Sequence, residues 1–207
     1  MNFIFEQIRI GGDRNFGYLV GDRAAGEAVA IDPAYMPGEF AERARVQSVV
    51  IKRILNTHGH DDHVNGNDEL ARLTGAELKI GFADGDTFSI GSIQVKVLCV
   101  PGHADDHVLF WMPGHSVAIT GDLLFVGKIG GTATKEDARK EYDSLNRVFE
   151  TLPDDTTIWP GHDYGARPAS TIALEKASNP FLQVRDFDEF LKMKADWPRF
   201  KLKHGLK

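Results

Sequence analysis

The stretch THGHDDHVNGN, Thr57 to Asn67, sets three histidines and two aspartates within six positions, directly after an apolar run. Imidazole and carboxylate are ordinary ligands of zinc and similar ions, so metal binding is the chemistry this crowding suggests. His58 and His60 stand two apart at the end of a predicted strand, and side chains two apart in an extended segment leave the same face. Both rings can then reach one ion. On a helix that spacing would splay them, which is why helical zinc motifs place histidines four apart. Asp62 and His63 follow where the chain turns into a helix, within reach of a second ion.

One segment does not complete such a site. Three others have the right character: PGHADDH carries His103, TGDLLF carries Asp122, and WPGHDYG carries His162. Each follows an apolar strand, with Gly or Pro-Gly beside it. Four strand ends meeting at one edge would gather five histidines and two aspartates around one pocket.

The pattern HxHxDH, a later PGH, a GD and a final GHDY resembles the metallo-β-lactamase fold superfamily. Within it the chain is most similar to the glyoxalase II (hydroxyacylglutathione hydrolase) and persulfide dioxygenase branch. NxGYLV and IDP near the start and NPFL near the end extend the resemblance over nearly the whole chain. It implies a four-layer αββα sandwich of α/β class with two metal ions at one edge. His58, His60 and His103 would hold the first ion, Asp62, His63 and His162 the second, and Asp122 would bridge them. Zinc is the first expectation, with iron or manganese as alternatives.

Two adjacent cations bring a shared water toward ionisation near neutral pH and polarise a carbonyl, so hydrolysis needs no serine or cysteine nucleophile. Asp62 and Asp122 would orient the hydroxide. No dedicated general acid stands in the motifs. That favours a thioester, because a thiolate, with a thiol pKa of about 8.5, leaves nearly unaided. Hydrolysis of an S-(2-hydroxyacyl)glutathione is therefore the first expectation. The alternative is an iron-dependent glutathione persulfide dioxygenase, in which residues matching His58, His103 and Asp122 hold one Fe(II) in a two-histidine, one-carboxylate set. Lactone hydrolysis ranks behind both.

The resemblance also implies that Tyr164, two after His162, contacts the glutathione moiety. Gly131 stands where relatives commonly carry the Lys or Arg that grips glutathione, and Lys128 is the nearest candidate to replace it. The chain also ends short of the family's full-length hydrolases, whose C-terminal helices add basic residues. Lys192, Lys194, Arg199, Lys201 and Lys203 could substitute, although such a run is more often a solvated face.

Alternation and turn residues predict strands at Phe3 to Ile10, Gly17 to Val20, Ala28 to Ile31 and Val49 to Asn56. More follow at about 77–80, 87–90, 93–99, 107–112, 115–120 and 156–159. Helical spacing covers Pro37 to Val46, Val64 to Thr74, Lys135 to Leu152, Ala169 to Ser178 and Asp186 to Lys194. Strand-rich halves each followed by helices predict packed sheets with helices outside. At 207 residues the chain reads as one domain, with 179–207 a short helical C-terminal extension.

A net charge of −6 disfavours a nucleic-acid partner. Neither a secretory signal nor a stretch of about 20 apolar residues is present, so the expectation is a cytoplasmic protein without a membrane partner, monomeric or homodimeric, acting on a small molecule. Cys99, the single cysteine, reads as a small buried hydrophobe. His107 reads as an orienting group, Asp61 as a bystander, and His115 and His204 as surface residues. Asp105 and Asp106 have no evident role.

Overall fold

The computed structural model describes residues 2–204. The first sheet contains β1 (Phe3–Gly11), β2 (Asn15–Asp22), β3 (Glu27–Ile31), β4 (Val50–Leu55) and β5 (Glu77–Leu78), side by side in that order. Antiparallel pairing joins β1, β2 and β3, and the β3–β4 and β4–β5 pairs are parallel. The parallel pairs require crossovers, supplied by α1 (Pro37–Gln47) and by α2 (Asp61–Val64) with α3 (Asn67–Thr74).

The second sheet is built from β6 (Thr87–Ile90), β7 (Ile93–Cys99), β8 (Val108–Met112), β9 (Val117–Gly121), β12 (Thr157–Pro160) and β13 (Ser170–Thr171), in the order β13-β12-β9-β8-β7-β6. Between β9 and β12 the chain makes a small hairpin, β10 (Leu124–Phe125) with β11 (Lys128–Ile129), and then α4 (Lys135–Thr151). It ends with α5 (Ile172–Ser178) and α6 (Phe187–His204). Thr134 caps α4 by accepting the Asp137 amide at 3.1 Å.

Alternation assigns each face. In β2, Phe16, Tyr18 and Val20 point between the sheets, where they meet Val97, Phe110 and Ile119 of the second sheet. Leu19 points the other way, to Phe40 of α1 and Leu70 of α3. On the far side, Leu145 and Val148 of α4 and Phe190 of α6 cover Leu109, Ala118 and Ile158. The result is the expected αββα sandwich. Each fully buried side chain of this kind contributes about 1.5–3 kcal/mol. None of the helices among the described residues is long and apolar enough to cross a membrane.

Several boundaries differ from the sequence expectation, for tertiary reasons. The helix expected over Val64 to Thr74 is broken at Gly66, where a Cβ would lie 2.0 Å from the Pro33 carbonyl oxygen. The helix expected to stop at Lys194 runs through Pro198 to His204. Trp197 packs there on Phe181 with ring centroids 4.7 Å apart, which offsets the missing amide of the proline. The β10–β11 hairpin was not foreseen, since strands of two residues carry no periodicity.

β4, β9 and β12 all end at one edge, and the loop leading into antiparallel β8 lies there too. Phe16 donates its amide to Gly161 O at 2.8 Å across this edge. At the opposite end of β2, Asp22 accepts the Ser92 hydroxyl at 2.6 Å and its amide at 2.8 Å.

Candidate metal centre

Every residue expected to ligate metal is brought to the edge where these strands end. His58 and His60 follow β4, with Asp62 and His63 on the one-turn α2. His103 precedes β8, Asp122 follows β9, and His162 follows β12. His58, His60 and His103 present ring nitrogens within 4.8 Å of one another, as do the side-chain atoms of His58, His63 and Asp122 and of Asp62, His63 and His162. Asp122 faces both sides: it lies 3.6 Å from His103 Nε2, 3.5 Å from His63 Nε2 and 3.1 Å from His162 Nε2.

The outer contacts fix which nitrogen of each ring is bare. His103 Nδ1–H donates to Gly131 O at 2.8 Å, and His162 Nδ1–H to Asp13 O at 2.9 Å. His63 Nδ1–H donates to Asp32 Oδ2 at 3.0 Å. The Thr57 hydroxyl donates to Asp32 at 2.7 Å, so at 3.1 Å it can only accept from His58 Nδ1–H. Four Nε2 lone pairs are thereby turned inward.

His60 Nδ1 lies 3.0 Å from both His58 Nε2 and His103 Nε2. His63 Nε2 and Asp122 Oδ1 are buried without a hydrogen-bond partner among the described residues. Converging lone pairs and orphaned acceptors are what a cation satisfies, so the residues fit a metal ion. Space is kept for it by Gly161, where a Cβ would lie 2.2 Å from Asp122 Oδ1.

The electrostatics agree. Burial pushes the His58 ring well below the usual histidine range, reinforced by the neighbouring histidines. For Asp122, burial alone would raise the carboxyl, but the facing histidines, His162 foremost, outweigh it and hold it down. For His63, burial opposes the charged ring; Asp32 outweighs it and raises the group to about 9.

His107 does not turn a lone pair inward. Its Nε2 accepts the Asp122 amide at 3.0 Å, so it orients the turn that carries Asp122. Asp61 is exposed, its side chain accepting from Asn65 at 3.4 Å. Asp105 pairs with Lys140 on α4 at 2.6 Å. Asp106 lies against Gly59, where a Cβ would come within 2.9 Å of its Oδ2. Cys99 is half-buried, its Sγ 3.7 Å from Phe82 O. His115 is stacked on Phe3 at 3.8 Å.

Tyr164 stacks on His162 at 4.7 Å, almost parallel, and donates its hydroxyl to Asp13 at 2.6 Å. Lys128 Nζ stands 4.3 Å from the Tyr164 ring centroid, and the Arg14 guanidinium 4.7 Å. Tyr164 and Lys128 border a cavity of about 710 Å³ that also takes in Arg167 and Trp197. The sequence reading missed Asp13, Asp32, Thr57 and Asn15, which hold the candidate ligands from behind. Asn15 donates to Asp62 Oδ2 at 2.9 Å. Asn15 and Asp32 lie in the NxGYLV and IDP stretches, so their signal was present without a role attached.

Fold and site together define a class, and comparison with known proteins agrees. Residues 10–81 and 78–162 match the model of the metallo-beta-lactamase superfamily, to which this chain belongs. It is 34% identical over 197 residues to persulfide dioxygenase ETHE1, mitochondrial, of Homo sapiens, covering 86% of this chain and 75% of that one. It is 36% identical over 174 residues to the hydroxyacylglutathione hydrolase of Rhodospirillum rubrum, covering 77% and 66%. The crystal structure of ETHE1 from Myxococcus xanthus superimposes with a TM-score of 0.86 at 31% identity, over 94% of this chain and 91% of that one.

Proposed function

We propose that this chain is an iron-dependent dioxygenase acting on a persulfide carried by a small thiol such as glutathione. The similarity to ETHE1 carries this reading over thioester hydrolysis: it spans more of both partners than the match to the R. rubrum hydrolase does. His58, His103 and Asp122 offer the two-histidine, one-carboxylate set suited to Fe(II), which when bound would supply the activation of dioxygen.

The remaining work falls to the chain. Gly131 O, Thr57 and the His107 ring hold His103, His58 and the Asp122 turn in place. Tyr164, stacked on His162, and Lys128 border a cavity beside the centre, where a thiol carrier would be bound with its terminal sulfur aimed inward.

The second reading, a binuclear hydrolase of S-(2-hydroxyacyl)glutathione, is favoured by one observation: Asp62, His63 and His162 form a complete second group. Metal analysis of protein purified without added metal, paired with oxygen uptake on glutathione persulfide, separates the two. One iron per chain with rapid uptake supports the dioxygenase. Two metals with no uptake, and release of thiol from a hydroxyacyl thioester, would replace it with the hydrolase.

A further inference from the structure

Two charges within the helical layer play no part in the ligand set. Glu141 on α4 is completely buried and Lys194 on α6 is 16% exposed. The Lys194 ammonium donates to Glu141 Oε2 and, at 3.1 Å, to the Gly130 carbonyl. Glu141 Oε1 has no hydrogen-bond partner among the described residues. A buried ion pair is weak evidence for stability, since an apolar pair of similar size is often as stable. Its position suggests another use.

The carbonyl next along the chain, Gly131 O, is the one that accepts from His103 Nδ1. The Gly130–Gly131 segment has no side chain with which to anchor itself, and glycine loses the most conformational freedom on ordering. Gly130 must stay bare, because a Cβ there would lie 2.1 Å from Asp122 O and 3.1 Å from His103 Nδ1. On the other side of the ring, a Cβ at Gly102 would lie 2.4 Å from Glu141 Cβ. Helix α4 therefore touches the chain just before His103, while its Glu141 holds the lysine that grips the loop behind it.

We propose that Lys194 is a positioning residue for the metal centre: anchored by Glu141, it holds the Gly130 peptide so that Gly131 O fixes the His103 ring with Nε2 toward the ion. The proposal rests on His103 being a ligand. It makes α6, far along the chain from every ligand, part of the support of the site. Removing an outer partner of a metal-bound histidine typically weakens metal binding 10- to 100-fold.

Lys194→Met alone would strand a buried carboxylate, so the informative variant is Lys194→Met with Glu141→Leu. It is expected to melt cooperatively and to bind zinc about tenfold or more weakly in chelator competition. The Lys194→Gln, Glu141→Gln pair keeps a donor for the Gly130 carbonyl and is expected to recover most of the affinity. In the metal-free wild type, the His103 Nδ1–H should exchange slowly in imidazole ¹⁵N spectra, and in the apolar pair rapidly. Unchanged zinc affinity in the apolar pair, or rapid exchange in the wild type, overturns the proposal. If His103→Ala binds zinc as tightly as the wild type, the ligand reading itself has failed. If His103→Ala weakens binding and the apolar pair does not, only the role of Lys194 has failed.

Discussion

At the scale of single residues, the centre depends as much on what is missing as on what is present. Gly161 has no side chain because a Cβ would come within 2.2 Å of Asp122 Oδ1 and 2.9 Å of His63 Cε1. Gly161→Ala should therefore displace Asp122, cost about 1–3 kcal/mol of stability through overpacking, and weaken metal binding at least tenfold, as loss of a supporting contact does. Titration calorimetry beside denaturant unfolding checks both, and wild-type metal affinity in this variant would refute the packing argument. Asp122→Ala removes the carboxylate shared by both groups of ligands. Activity on any verified substrate should fall by more than the 10- to 100-fold expected for an outer partner; steady-state kinetics at saturating metal are the check, and survival of full activity would exclude a bridging role.

At the scale of elements, the candidate ligands were legible because the strand-end motifs carry them: two apart after β4 for His58 and His60, and after Gly or Pro-Gly for His103, Asp122 and His162. The supporting contacts were not legible, since Asp32, Asn15, Gly131 and Lys194 reach the site only through tertiary packing across distant segments. The same limit explains α2 and α3, which periodicity merges and the Pro33 carbonyl separates at Gly66. Asp22 is another tertiary contact, tying β2 to the turn before β7. The Ser92 hydroxyl and amide bonds hold its carboxyl down to about 2. The folded value thus lies below the unfolded one, about 3.9. Its stabilising effect is complete above about pH 4 and is lost as pH falls through about 2. Asp22→Asn should lower stability at neutral pH and flatten the decline between pH 4 and 2. Denaturant unfolding across that range checks it, and parallel pH profiles would show that Asp22 does not tie the sheets.

At the scale of the molecule, the candidate ligands come from both sheets. His58, His60, Asp62 and His63 follow the first, whereas His103, Asp122 and His162 belong to the second. An ion held by both joins the two layers at the edge where their strands end, opposite the Asp22 contact. Without the ion, converging lone pairs face one another and Asp122 Oδ1 is orphaned. Binding confined to the folded state stabilises it by about 2.7 kcal/mol at a free metal concentration 100 times the dissociation constant. For a chain of this size that corresponds to a melting temperature roughly 5–10 °C above that of the chelated protein. The shift should grow with free metal, as linkage requires, and return on readdition. Asp122→Ala should melt at nearly the same temperature with and without chelator, because the carboxylate that faces both groups of candidate ligands is gone. Differential scanning calorimetry of the two proteins decides it: a wild type indifferent to chelator, or a variant equally sensitive, would mean that the metal does not join the sheets through Asp122.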